Sequence, residues 1–251
     1  MTNSTSKINV VLVTTAARSE LLEQSINSIC QNAELEKSID LTVVMDGYEW
    51  ATAPPQKLGL IHGVLMPQVD RLIISDDRVG ASAARNIGAS SIPLYRRGSH
   101  VCFFDDDIYA CPGWDRTLLG LLRALPGALC SGHSHPYNHG DPGGDPDALL
   151  VPIPPHVKPL VISTVNFLMP WAMWDHVGMF EEPGGPGGSE DYAWCMRAKK
   201  LTYGFAVSDP QCVIHCGLTS SSGKQIVGFD EMKKQNEELI AMHKLKGVIW
   251  V

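Results

Sequence analysis

The sequence predicts an α/β fold in which helices flank a mostly parallel central sheet. Strand-length apolar runs, several of them rich in Val, alternate along the chain with segments whose apolar residues recur at helical spacing. This alternation is typical of βαβ units, whose right-handed crossovers bring the carboxyl ends of the strands to one edge. Polar residues follow three of these strands, and open α/β sheets bind their ligands at that edge.

The first half of the chain gives the clearest pattern. The run KINVVLVT at 7–14 predicts a strand buried on both faces, and Ser19 suits the N-cap of a helix over the segment 19–33. A second buried strand, IDLTVVM at 39–45, ends at Asp46-Gly47. Four further elements continue the alternation: a strand near 71–74, a helix of small residues at 80–90, a strand at 100–104 and a helix at 112–125.

The second half is less regular. Residues 135–159 are rich in Pro and Gly and predict a loop between two halves, about 7–134 and 160–251, of a single domain 1–251. After the loop we predict a strand at 161–169, a short helix within 171–180, a helix at 190–201, short strands at 205–208 and 212–216, and an amphipathic helix at 229–245.

Composition limits the classes of function. The chain has 251 residues and a formal net charge of −7, so an overall basic footprint for nucleic acid is absent, although a local patch is not excluded. Seven cysteines without paired spacing favour reduced thiols and a cytoplasmic location. The sequence shows no signal-peptide pattern and no 18-residue apolar run, so we expect no membrane span.

Three adjacent carboxylates, Asp105, Asp106 and Asp107, directly follow the apolar strand at 100–104. Residues i and i+2 of an extended or turning backbone can face one side, so Asp105 and Asp107 can bind one Mg²⁺ or Mn²⁺. Such an ion would also relieve the repulsion between the carboxylates. The alternative is a solvated acidic turn that caps the following helix.

A second acidic pair, Glu190-Asp191, follows a Gly-rich segment at the start of a predicted helix. Asp191 is a candidate general base, since a helix N-terminus favours the ionised carboxylate that a base requires. The alternative is that Ser189 caps the helix and the two acids only complement its dipole. Trp194, one turn further along, is either an acceptor contact or a core residue.

Seven motifs, taken in order over residues 8–217, resemble the family 2 glycosyltransferases, which have the GT-A nucleotide-sugar-binding fold. VLVTTAAR and VVMDG resemble the family's first two strand ends, and VGASAARNIG resembles its Gly-x-x-x-Ala-Arg-Asn helix. FFDDDIYACPGW resembles its Asp-x-Asp motif and the Pro-Gly-Trp that follows it. The remaining three are STVNFLMPWAMWDHVGMFEE, GGSEDYAWCMRAKKLTYGF and PQCVIHCG.

The resemblance implies a site for each substrate. It implies a metal site for Mn²⁺ or Mg²⁺ at Asp105, Asp107 and His215, and catalytic acids at Asp191, the base, and Glu190. A nucleoside-diphosphate sugar would lie against nine residues: Thr14, Thr15, Arg18, Asp46, Gly80, Arg85, Asn86, Asp105 and Asp106. Arg85 has an alternative role as the structural partner of a neighbouring carboxylate.

The implied activity is transfer of a sugar to a hydroxyl group with inversion at the anomeric carbon. The acceptor, whether a glycan, lipid, small molecule, protein or modified nucleobase, is not readable from the sequence, and nucleic acid is disfavoured by the net charge. The sequence departs from the family at the opening loop, at Met179 and at Glu181. The alternatives are a nucleotidyltransferase, disfavoured because TTAAR lacks glycine, and a non-catalytic nucleotide-sugar- or carbohydrate-binding domain.

Overall fold

The computed structural model of the chain describes residues 7–15, 19–35, 39–47, 68–132, 162, 164–181, 190–208 and 211–216. The predicted loop at 135–159, the predicted helix at 229–245 and Arg18 lie outside the described residues. Within the described part, strands and helices alternate in the order that the sequence predicts.

The described residues form nine strands: β1 (Ile8–Thr14), β2 (Ile39–Asp46), β3 (Arg71–Ser75), β4 (His100–Asp105), β5 (Ile108–Ala110), β6 (Ala128–Ser131), β7 (Asn166–Pro170), β8 (Gly204–Val207) and β9 (Val213–His215). Seven of them form a central sheet, and β5 and β9 form a small second sheet. In the central sheet the order is β3-β2-β1-β4-β7-β6-β8, and β7 runs antiparallel to β4 and β6 while the other neighbours are parallel. The mostly parallel sheet is therefore confirmed.

Helices cover both faces of the sheet. They are α1 (Ser19–Gln31), α2 (Ala81–Ser90), α3 (Trp114–Ala124), α4 (Trp171–Val177) and α5 (Glu190–Lys200), with a turn of 3₁₀ helix at Leu94–Arg96. Successive residues of β1 point to opposite faces: Val10 and Leu12 pack with α1 and α3, whereas Val11 packs with α2. This explains why β1 is apolar at nearly every position. Among the described residues, no helix combines the length and apolar character that a membrane span requires.

The small residues of α2 allow it to lie close against the sheet. A Cβ atom added at Gly88 would come 2.4 Å from a methyl group of Val11 and 2.9 Å from one of Val44. Ala84 and Ala89 are fully buried on the same face. The composition of α2 therefore reflects this close packing of the helix onto β1 and β2.

Two strands were not predicted, and another begins five residues later than predicted. β5 and β6 have only three and four residues, too few for a period-2 pattern to identify a strand. The predicted strand at 161–169 begins only at Asn166, because residues 164–165 form a turn. An apolar run in the sequence does not show at which residue the backbone begins to pair with a neighbouring strand.

Candidate metal centre

The three consecutive aspartates point in different directions. Asp105 is the last residue of β4, and the buried carboxylate of Asp106 accepts a hydrogen bond of 2.7 Å from the Thr14 hydroxyl at the end of β1. Asp106 therefore faces the sheet. Asp105 and Asp107, two residues apart, instead form a cluster with His215. This alternation agrees with the prediction that the i and i+2 carboxylates share one side.

Ser25 of α1 holds the turn that carries these aspartates. Its hydroxyl accepts a 3.0 Å hydrogen bond from the Ile108 amide and lies 2.8 Å from the Asp106 carbonyl oxygen. Sequence reasoning gave Ser25 no role. A hydroxyl at a core position of a helix was the available signal, because a buried hydroxyl requires a hydrogen-bond partner.

The small β5–β9 sheet brings His215 to the aspartates. Ile108 is opposite His215 in this antiparallel pair, and the Cys216 amide donates a 2.6 Å hydrogen bond to the Asp107 carbonyl. His215 Nε2 lies 3.1 Å from Asp107 Oδ1. One ligand atom from each of Asp105, Asp107 and His215 lies within 4.8 Å of the other two. The structure thus brings together the three residues predicted to bind a metal.

The donor set fits a hard divalent cation. Two carboxylates and one imidazole match the preferences of Mn²⁺, and Mg²⁺ binds the carboxylates and water. Asp107 is buried, whereas Asp105 and His215 are half-buried, so the cluster is partly accessible to solvent. A bound cation would also offset two carboxylates that lie within a few ångströms of each other.

Arg85 connects the aspartates to the start of α5. Its buried guanidinium donates from Nη2 to Asp105 at 2.5 Å and from Nη1 to Glu190 at 2.8 Å. Burial opposes the charge on Arg85, but attraction and hydrogen bonding from the two carboxylates outweigh it and raise the pKa of the guanidinium above its ordinary value. Arg85 therefore pairs with two carboxylates of the protein itself, in agreement with the structural role given above as the alternative to nucleotide binding.

The two acids predicted to be catalytic open α5, but they differ in their contacts. Glu190 is buried and forms an ion pair with Arg85, and its Oε1 atom lies 3.4 Å from the Thr164 hydroxyl. Asp191 is half-buried in the first turn of the same helix. Sequence reasoning did not identify Thr164. The start of α5 is thus linked through Arg85 to the end of β4, which carries the metal cluster.

The same edge of the sheet carries four more of the residues predicted to bind the nucleotide: Thr14, Thr15, Asp46 and Gly80. Asp46, at the end of β2, accepts hydrogen bonds from the amides of Val79 at 2.7 Å and Gly80 at 3.0 Å. These bonds hold the start of α2 over the end of β2. Gly80 has a φ of +88°, which favours glycine at this helix start. Thr15 follows β1, and its carbonyl lies 3.2 Å from the Thr14 hydroxyl.

Asn86 joins two segments. Its side-chain amide donates to the Phe180 carbonyl at 3.0 Å and accepts from the Phe180 amide at 2.9 Å. The buried Asn86 thus fixes the chain after α4 onto α2. Trp194 is fully buried among Phe167, Trp174 and Phe180, so the hypothesis that it contacts an acceptor is wrong and the core alternative is correct.

Comparisons with known proteins bear on the fold. The sequence matches no protein-family model and no curated protein. Among solved structures, the mannosyltransferase PcManGT from Pyrobaculum calidifontis, in complex with GDP-Man and Mn²⁺, matches with TM-score 0.57 and 14% identity over 80% of this chain and 54% of its own. TarS 1–349 from S. aureus matches with TM-score 0.58 and 15% identity over 96% of this chain and 66% of its own.

The chain spans less than two thirds of the length of either structure. At these identities the likeness concerns the fold alone. The chain has the α/β fold that PcManGT and TarS have, with a mostly parallel central sheet of seven strands flanked by helices.

Proposed function

We propose that this protein is a metal-dependent glycosyltransferase, similar to family 2, that moves a sugar from a nucleoside-diphosphate sugar to a hydroxyl acceptor. The observation that carries the proposal is the cluster of Asp105, Asp107 and His215 at the carboxyl edge of the sheet. The fold supports it, since a mannosyltransferase with this fold has been solved with GDP-Man and Mn²⁺.

Charge explains why the site needs a cation. The edge carries Asp46, the aspartates at 105–107 and the two acids that open α5, and the guanidinium of Arg85 is already engaged by Asp105 and Glu190. A diphosphate placed beside these carboxylates would be repelled. Asp105, Asp107 and His215 would hold Mn²⁺ or Mg²⁺, which supplies Lewis-acid stabilisation of the negative charge that grows on the leaving diphosphate.

The donor nucleotide would lie across the ends of β2, β1 and β4, against Asp46, Thr14, Thr15 and the start of α2 at Gly80. The hydrogen bonds from Val79 and Gly80 leave further lone pairs on the Asp46 carboxylate, which can accept an N–H group of a base. The donor base, the sugar and the acceptor are not specified by these contacts.

Asp191 would accept the proton of the attacking hydroxyl group. Its place at the N-terminus of α5 favours the ionised form, which a base requires. A single base on the side opposite the leaving group gives one displacement and inversion of the anomeric configuration. Glu190 would act as a positioning residue, because its ion pair with Arg85 sets where α5 begins relative to Asp105.

Thermal unfolding with UDP, GDP and dTDP, each with and without Mn²⁺, tests the donor site. We expect a Mn²⁺-dependent rise in Tm with at least one nucleotide, and loss of that rise in Asp107→Asn. Asp175→Asn, an exposed carboxylate on α4, is the matched control and should retain it. No stabilisation of the wild-type protein by any nucleotide with Mn²⁺ would count against the whole proposal.

The base has a separate test. Asp191→Asn should bind the nucleotide with Mn²⁺ as the wild type does, while sugar transfer falls by about 10²- to 10⁴-fold. Near-normal transfer by this variant, with the fold intact by circular dichroism, would remove Asp191 from the mechanism. Analysis of the anomeric configuration of the product by NMR tests the inversion directly.

A further inference from the structure

The edge of the sheet opposite the candidate metal centre differs from it in charge. This amino edge is where β1, β4, β6 and β8 begin. The charges of three basic and three acidic residues cancel there. Lys7 and Arg71 form ion pairs with Asp40, and Arg97 forms one with Asp175. The third acid, Asp70, accepts a hydrogen bond from the Leu41 amide. The remaining basic residues on these segments decide the net charge of the edge.

Four exposed basic side chains remain on this edge, and none forms an ion pair with another described residue. They lie before β4, at the end of α3 and at the end of α5, and the two helices pack on opposite faces of the sheet but both end at this edge: Arg96, Arg123, Lys199 and Lys200. Although the chain has a net charge of −7, the described residues of this edge are therefore locally positive. Such a local patch attracts anionic surfaces even where the whole protein is acidic.

Each basic position has an exposed apolar neighbour. Leu94 and Tyr95, beside Arg96, are 77% and 87% exposed. Leu125, two residues after Arg123, is 49% exposed, and Leu201, next to Lys200, is 37% exposed. Large apolar side chains exposed beside unpaired cations are the combination found where proteins touch a lipid headgroup region.

The most prominent of these positions is held firmly in place. Buried Asn9 of β1 donates to the Arg96 carbonyl and accepts hydrogen bonds from the Gly98 amide and the Trp171 indole. Arg97 lies 4.1 Å above the Trp171 ring. The segment is therefore anchored from β1 and α4, and Leu94 and Tyr95 project from a fixed base.

We propose that this amino-edge surface, formed by Leu94, Tyr95, Arg96, Arg123, Leu125, Lys199, Lys200 and Leu201, binds the protein to an anionic lipid membrane. The cations supply the attraction to acidic headgroups, and the apolar side chains enter the headgroup region. A neutral or cationic partner surface would not use the four cations, and a water-exposed polyanion would not use the leucines. Bound in this way, the protein would present its candidate metal centre to the aqueous side.

Vesicle co-sedimentation of the full chain tests the proposal, with phosphatidylcholine alone and with phosphatidylcholine mixed with phosphatidylserine. We expect binding to the mixed vesicles that weakens with salt. Each Lys or Arg near such a surface contributes about 1 kcal/mol, so Arg96→Glu, which changes two charges, should lower the partition coefficient about 30-fold. Leu94→Ser with Tyr95→Ser should also weaken binding, through the apolar contribution.

Arg78→Glu is the matched control, because Arg78 is equally an exposed arginine but lies near the opposite edge, beside Gly47 at the end of β2. It makes the same change in net charge and should leave vesicle binding within about two-fold of the wild type, since a charge beyond a Debye length is largely screened. Equal effects of Arg78→Glu and Arg96→Glu would overturn the assigned surface. Equal binding to both vesicle types, or binding to a soluble polyanion such as heparin without vesicle binding, would overturn the membrane as partner.

Discussion

Replacing Arg85 by methionine tests the link between α5 and the end of β4. The change keeps most of the apolar stem and removes the guanidinium that bonds Asp105 at 2.5 Å and Glu190 at 2.8 Å. The side chains of Arg85, Glu190 and Asp105 are only 4%, 11% and 26% exposed, so solvent replaces little of what is lost. Breaking a buried ion pair costs about 3–5 kcal/mol, and the partial exposure of Asp105 places the expected loss near the lower value.

The assay is urea unfolding followed by circular dichroism, with a chelator present so that no divalent cation replaces the arginine. Arg116→Met is the control, because Arg116 and its partner Glu34 are 52% and 43% exposed and such a pair contributes only about 0.2–1 kcal/mol. Adding Asp105→Asn and Glu190→Gln to Arg85→Met should restore much of the stability, since the uncompensated buried charges are then gone. A loss for Arg85→Met no larger than that of the control would refute the reasoning.

Three further perturbations test the packing of α2, the charge of Asp40 at the amino edge and the turn that carries the aspartates. Gly88→Ala should destabilise the protein by about 1–3 kcal/mol in urea unfolding, because the added methyl group would overlap two valine side chains of the sheet. Burial opposes ionisation of Asp40, but its bonds to Lys7 and Arg71 outweigh this effect and hold the pKa of the carboxyl below its ordinary value. The wild type should therefore be more stable than Asp40→Asn near neutral pH. This difference in stability should vanish as the pH falls below about 4, where the carboxylate becomes protonated. Ser25→Ala should cost about 1–3 kcal/mol and weaken Mn²⁺ binding in calorimetry, because the turn at 106–108 loses its anchor.

Each of these has its own control. Gly120→Ala on α3, where no atom lies within 4 Å of the added methyl group, should be neutral or gain about 0.5–1 kcal/mol from helix propensity. A stability difference for Asp40→Asn that is the same at every pH would exclude the charge as its source. Unchanged Mn²⁺ affinity in Ser25→Ala would show that the turn keeps its geometry without the hydroxyl group.

Local pattern was sufficient for most of the fold. The strands β1, β2 and β4 and the helices α1, α2 and α5 were predicted within two residues at each end, because burial imposes a periodicity that each segment displays by itself. The alternation of types then implied the mostly parallel sheet, and the carboxyl ends of its strands located the polar edge. The likeness to solved structures agrees with this fold.

The short strands and the antiparallel pairing were beyond such patterns. The antiparallel course of β7 and the existence of β5 and β6 depend on which strands meet, and segments this short carry little periodicity. The side-chain partners of the site were hidden for the same reason. Glu190 and Arg85 are separated by 105 residues, and His215 and Asp107 by 108.

The sequence by itself determined which residue types reach the edge of the sheet, because the order of strands and loops along the chain decides this. Only the tertiary structure decided how those residues are used. It turned Asp106 to Thr14, engaged Arg85 with two carboxylates and brought His215 beside Asp107. The physical reason is that hydrogen bonds and ion pairs form between groups that are close in space, and for residues far apart in sequence that closeness is created by strand pairing and packing.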